Sequence, residues 1–202
     1  MPRRSAITAT LGLLIAAHAW AQPARKPATP LRIVVPFSPG GSTDAAARIL
    51  AEGLTAELGQ PVIVDNRPGA GTTIAAAHVA ASPADGGTLL LTGPISHIVS
   101  GMLYPHLKYD ALRSFTPISQ LATAPFLIVV RAESAYRTLG ELIQAAKAAP
   151  GKVSYGSSGI GASPHLVGEI LASEAGVKFL HVPYKGAGPA AVGLMGGEVD
   201  FS

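Results

Sequence analysis

The chain has 202 residues, 48% hydrophobic and 13% charged, a composition that builds an ordered core and excludes a disordered polyelectrolyte. Its formal charge of +3 falls to +1 once residues 1–21, which carry Arg3 and Arg4 and no acid, are set aside. Neither nucleic acid nor an anionic membrane surface is then an expected partner, and the absence of cysteine removes disulfides, thiolate nucleophiles and zinc–thiolate sites together.

The pair Arg3-Arg4, an apolar run over 7–17 and Ala19-Trp20-Ala21 before Gln22 read as a cleavable export signal over residues 1–21. The apolar run is shorter than the roughly 20 residues of a membrane span, so no membrane insertion is expected after signal removal. Residues 22–30 are proline-rich and read as a linker. An apolar run over 31–35 predicts a strand buried on both faces, and 43–58 a helix with Ala46, Leu50 and Leu54 on one face and Ile49 beside them. Gly59 stops that helix. A second strand over 61–65, an alanine-rich helix reaching Ala81 and a third strand over 88–91 complete a βαβαβ pattern, which implies a parallel sheet with covering helices.

A short helix reaches Leu103, and an apolar strand over 126–131 is where the chain is expected to cross into a second domain. The expected domains are 31–124 and 125–202, both α/β. In the second, 139–149 predicts a helix, 153–156 a strand, and 163–175 a helix capped by Ser163 with Pro164 in its first turn. A strand over 179–183, a helix ending at Gly196-Gly197 and the start of a strand at Val199 follow.

Two stretches share one design. The loops 39–44 and 157–163 each follow a strand, are built of glycine and serine, and open a helix, which leaves amide N–H groups aimed at an anion. Each helix end contributes roughly 0.3–1 kcal/mol, at most about 2, whereas micromolar affinity needs about 8. Hydrogen bonds from serine and backbone N–H groups, and burial of the ligand between two domains, must supply the rest. The same residues would equally serve as the tight turns of any parallel sheet. Asp44 fits the helix dipole of a first turn or a ligand ammonium group. His165 sits in the first turn after Ser163 and reads as a contact, His97 equally as contact or packing. Lys185 faces the cleft or water.

Nucleotide-binding and nucleophile-elbow signatures are missing from the chain, and its histidines form no zinc-binding spacing. No acid pair or nucleophile–base pair stands at usable spacing, so neither catalysis, a cofactor nor a metal is expected.

Pro36-Phe37-Ser38-Pro39-Gly40-Gly41-Ser42-Thr43-Asp44 and Asn66-Arg67-Pro68-Gly69-Ala70-Gly71 resemble the first signatures of the Bug-type (TctC-like) substrate-binding proteins of tripartite tricarboxylate transporters. The similarity continues through Tyr155-Gly156-Ser157-Ser158-Gly159, Ser163-Pro164-His165, Val182-Pro183-Tyr184-Lys185-Gly186 and Gly196-Gly197-Glu198-Val199-Asp200. The resemblance implies a periplasmic Venus-flytrap receptor of two Rossmann-like domains, which closes on a di- or tricarboxylate or an acidic amino acid and delivers it to membrane components of the transporter. It places ligand contacts on the loop of Ser38, Gly40, Gly41, Ser42, Thr43 and Asp44, on Ser157, Ser158 and Gly159, and near His165 and Tyr184; Phe37, Ser163 and Lys185, beside these loops, are further candidate contacts. Members of that family continue past the position of Ser202, so a truncated member with an exposed apolar edge is expected, and a fragment that binds nothing stands as the alternative. An exported hydrolase using Ser157, Ser158 or His165 is the remaining one.

Overall fold

The computed structural model describes residues 30–104 and 106–202; the export signal and most of the linker read from the sequence lie outside them. Strand β1 (Leu31–Val35) is the middle strand of a three-stranded parallel sheet ordered β2-β1-β3, with β2 at Val62–Asn66 and β3 at Thr88–Leu90. A strand paired on both edges and covered on both faces must be apolar, and Ile33, Val34 and Val35 are fully buried. The one charge in β1, Arg32, is tolerated because its guanidinium reaches Asp65 of β2 at 3.3 Å.

Helix α1 (Ser42–Leu58) returns the chain from β1 to β2. Its innermost seam is Asp44, Ala47 and Ala51, with Leu50 and Leu54 flanking, rather than a stripe led by Ala46. Ile49, expected beside that stripe, is 73% exposed. The carboxylate of Asp44 is tied down beneath the helix and sets its rotation, and two small alanines then allow close approach to Ile33 and Val35. Gly59 ends α1 at φ +61°, with its N–H on the carbonyl of Thr55.

A 3₁₀ turn (Ala70–Thr72) leads into α2 (Thr73–Ala80), and α3 (Pro94–Leu103) follows β3. The strand expected over 126–131 does not form. Val130 makes a single antiparallel bridge to Phe201, Val129 and Ser202 exchange two backbone hydrogen bonds of 2.9 and 3.0 Å, and Phe126, Leu127 and Ile128 are exposed. A strand needs a ladder partner along its length, and among the described residues only 201–202 pair with this segment.

The second sheet pairs β4 (Ser154–Ser157) in parallel with β5 (Leu180–Pro183). The strand expected to begin at Val199 reduces to bridges from Phe201 to Tyr155 and Val130. Around this sheet lie α4 (Leu139–Ala148), started by a reciprocal Thr138–Glu141 capping box, α5 (Ser163–Ala175) and α6 (Ala187–Gly196). Leu142, Ala146, Val153, Tyr155, Phe179 and Phe201 form its core.

Candidate functional site

Four strands, β1, β3, β4 and β5, each run through a glycine-bearing loop into a helix whose N-cap residue supplies no side-chain cap. The N-cap positions are Gly41 before α1, Gly93 before α3, Ala162 before α5 and Gly186 before α6. The N-cap of α5 is thus Ala162, and Ser163, expected to cap it, is the first helical residue. Its hydroxyl has another partner: Ser96 Oγ of α3 lies 2.9 Å from Ser163 Oγ and accepts the Ser163 backbone N–H at 3.0 Å.

Among the described residues, no hydrogen bond joins the two loops singled out from the sequence. The third, 184–188, lies between them. Ser38 donates its backbone N–H to the carbonyl of Lys185 at 2.9 Å, and Gly188 lies so close to the first loop that a Cβ there would stand 3.0 Å from the carbonyl oxygen of Pro39. On the other side Tyr184 donates its N–H to the carbonyl of Ser157 at 2.9 Å. The start of α5 meets the first sheet's helices instead, where a Cβ on Gly71 would press into the Ile160 carbonyl at 2.6 Å.

In the first loop Gly40 and Ser42 are exposed, Phe37, Ser38 and Thr43 half-buried, and Gly41 and Asp44 buried. The Asp44 carboxylate accepts from Arg48 at 2.9 Å, from the Gly40 N–H at 3.0 Å and from Asn66 Nδ2 at 3.0 Å. The hydrogen bond from Arg48 leads in holding its pKa down at about 2, against the opposing effect of burial. A ligand ammonium would have to compete with three partners already in place. Asn66 also donates to the Phe37 carbonyl at 3.0 Å, so it fixes both ends of the loop.

In the second loop Ser157 is 1% exposed, while Ser158 and Gly159 are half-buried. Ser157 Oγ lies 2.7 Å from His181 Nε2 and accepts the Gly159 N–H at 3.1 Å. This is a serine–imidazole contact without access: the hydroxyl is sealed from substrate, and among the described residues no carboxylate is hydrogen-bonded to His181. His165 accepts the Gly161 N–H on Nδ1 at 3.2 Å. Tyr184 donates its hydroxyl to Glu198 at 2.8 Å, and its ring covers Gly156 and Gly193, while the Lys185 side chain is exposed. His97 packs against Tyr109 and Phe115, with Nε2 2.8 Å from the Ala111 carbonyl oxygen, so its place is in packing.

Sequence reasoning missed Ser96, Ser100 and His181. Ser96 and Ser100 stand one turn apart in a helix whose other residues, His97 apart, are apolar, and that i, i+4 pair was a readable sign of a buried hydroxyl seam. His181 carried no such signal, being a lone polar residue in a short strand. An apolar trough of about 670 Å³, lined by Leu31, Leu50, Leu54, Leu89, Ile118 and Leu121 among others, shares no residue with the three loops.

The profile of the tripartite tricarboxylate transporter family receptor (TctC) matches residues 46–202. Protein BugT of Bordetella pertussis is 40% identical over 197 residues, which cover 96% of this chain and 60% of BugT. Among solved structures, MatC from Rhodopseudomonas palustris with bound malate aligns with a TM-score of 0.80 at 32% identity, over 87% of this chain and 60% of MatC. A second R. palustris protein, Rpa4515 with adipate, gives a TM-score of 0.82 at 36% identity, over 87% of this chain and 58% of that protein. The chain therefore spans about three-fifths of the length of these relatives. Its fold is that of periplasmic binding proteins, and its relatives are solute-binding receptors rather than enzymes. The chain belongs to the TctC family of tripartite tricarboxylate transporter receptors.

Proposed function

We propose that this chain belongs to a periplasmic receptor that captures a small organic carboxylate for a tripartite tricarboxylate transporter, with residues 31–124 and 125–202 as its two lobes. The ligand is a di- or tricarboxylate or an acidic amino acid. Its oxygens are received by backbone and hydroxyl donors of Phe37–Thr43, by Ser158 and by Lys185, while Gly159, Ser163 and Tyr184, whose N–H groups already donate within the protein, line the site. Ser157, His165 and Asp44 contribute by holding those loops.

The observation that carries this reading is that the loop 184–188 touches both the first loop and Ser157, which brings together the helix starts at Gly41 and Gly186, neither of them capped by a side chain. Two such ends supply only about 0.6–2 kcal/mol together when exposed and about 4 when partly buried. Desolvation between the lobes is therefore needed for micromolar capture. The malate and adipate bound by the two R. palustris relatives are dicarboxylates, the chemistry these loops suit. A thermal-shift and calorimetric panel of malate, adipate, citrate and glutamate against the purified chain tests it. A saturable shift with one or more supports the reading; no heat and no shift with any of them overturns it.

A further inference from the structure

The second loop is held at both ends by imidazoles that stack on each other. At its start Ser157 Oγ meets His181 Nε2 at 2.7 Å, and at its end the Gly161 N–H donates to His165 Nδ1 at 3.2 Å. The two rings lie 4.2 Å apart at 26°. His181 is fixed from below by Tyr155, its register partner across β4 and β5, whose ring stacks on it at 4.8 Å. Gly168 of α5 leaves the room that the Tyr155 ring occupies.

From these contacts we infer that His165 and His181 form a positioning clamp for the loop Ser157–Gly161, which holds when both rings are neutral and releases when His165 takes up a proton. This rests on the carboxylate-receptor reading, because the loop it positions is part of that site. The chemistry follows from the acceptor. A backbone N–H can donate to Nδ1 only while Nδ1 keeps its lone pair, so the His165 proton sits on Nε2. Protonation of His165 turns Nδ1 into a donor facing another donor, and the Gly161 bond is lost. A charge on His165 also stands against the ring of His181, whose own protonation is opposed by burial and by that neighbour.

The groups facing the pair come from three elements. On α5, Glu169 lies 4.0 Å from His165 Nε2. On β4, Tyr155 donates its hydroxyl to the same Glu169 oxygen at 2.8 Å. On β5 stands His181 itself. The Gly161 bond is what the clamp loses when it opens.

The test needs no ligand for its first part. Imidazole ¹⁵N spectra of the intact chain at about pH 7.5 should show His165 as the Nε2–H tautomer. Gly161 amide protection, corrected for intrinsic exchange, should fall about tenfold on acidification to about pH 5.5, the equivalent of one hydrogen bond, while Val34 in β1 keeps its protection. An Nδ1–H tautomer, or unchanged Gly161 protection, overturns the clamp. The second part measures malate affinity over the same pH range. His165→Gln keeps an acceptor for Gly161 but has no proton to gain, so it should bind with a flatter pH profile than wild type; His106→Gln, on an exposed loop, should leave the wild-type profile unchanged. Equal profiles for wild type and His165→Gln overturn the proposal, and this comparison cancels the titration of malate itself. If Gly161 responds to pH as expected but no carboxylate binds, the receptor reading fails and the clamp stands.

Discussion

Ser96 on α3 supplies the acceptor that α5 lacks from its own sequence: its Oγ receives the Ser163 N–H at 3.0 Å. Ser100, one turn on, is fully buried and lies 3.3 Å from the Thr72 hydroxyl, its own Oγ donating to the carbonyl of Ser96. A helix of the first sheet thus caps a helix of the second by a borrowed hydroxyl. The helix end expected to face only ligand has one of its amides spent on the protein.

That borrowed cap predicts the cost of removing it. Ser96→Ala should destabilise the chain by about 1 kcal/mol, the usual loss for an N-cap. It leaves the Ser163 N–H and hydroxyl without their partner while removing almost no volume. The midpoint of urea unfolding, with unchanged slope, measures it. A midpoint equal to wild type would show that water replaces Ser96 at no cost.

Two acid-sensitive windows follow from the half-buried His181 and the buried Asp44. His181 is lowered from 6.5 to about 4 by burial first and the neighbouring His165 second, so the unfolded chain takes up the proton more readily. Its contribution is complete above about pH 6.5 and is lost as pH falls toward 4; the bound is about 3 kcal/mol, reduced by screening at its exposed edge. Asp44 is lowered from 3.8 to about 2, so its contribution is complete above about pH 4 and is lost as pH falls through 2, an effect of order 1–2 kcal/mol. Stability measured from pH 7 to pH 2 should decline in two steps. His181→Gln should flatten the upper step and Asp44→Asn the lower one; a single step abolished by neither would contradict both assignments.

Gly168 sits in the middle of α5, where alanine is better by about 1 kcal/mol on helix propensity alone. Here the sign should reverse. A Cβ at this position would lie 2.5 and 2.7 Å from two ring atoms of Tyr155 and 3.0 Å from its hydroxyl, and this side chain is buried and stacked on both His181 and Phe201. Overpacking of this kind costs about 1–3 kcal/mol, so Gly168→Ala should be net destabilising in thermal unfolding and should disturb the His181 resonance. A stabilised variant would mean that the Tyr155 ring can move aside.

Gly188, at the start of α6, touches the first loop rather than its own sheet. A Cβ would approach the Pro39 carbonyl oxygen at 3.0 Å and Gly40 at 3.3 Å. Gly188→Val should therefore push 184–188 away from 38–41 and lower carboxylate affinity by about tenfold, with a smaller effect on melting temperature. Calorimetry beside a melting curve separates the two, and unchanged affinity would remove this contact from the site.

Residue patterning alone settled the local elements. Gly59, Gly176 and Gly197 end their helices in the left-handed region as a helix followed by glycine predicts, and the apolar run of β1, interrupted only by Arg32, marks the middle of a parallel sheet. These features depend on neighbours a few residues away, so linear order is enough to read them. The glycine–serine loops and the family resemblance were legible for the same reason, because each motif is short and contiguous.

Only the tertiary structure decided which loops meet and which polar groups remain free for a ligand. It inserted 184–188 between the two expected partners and committed Asp44 to Arg48, Gly40 and Asn66. It also set Ser96 against Ser163, 67 positions apart, and brought His181 under Ser157, 24 positions away. Hydrogen-bond satisfaction is a property of what packs together, and packing between distant segments is not encoded in spacing. The apolar run over 126–131 makes the same point in reverse: its composition reads as strand, but a strand exists only where a second backbone completes the ladder.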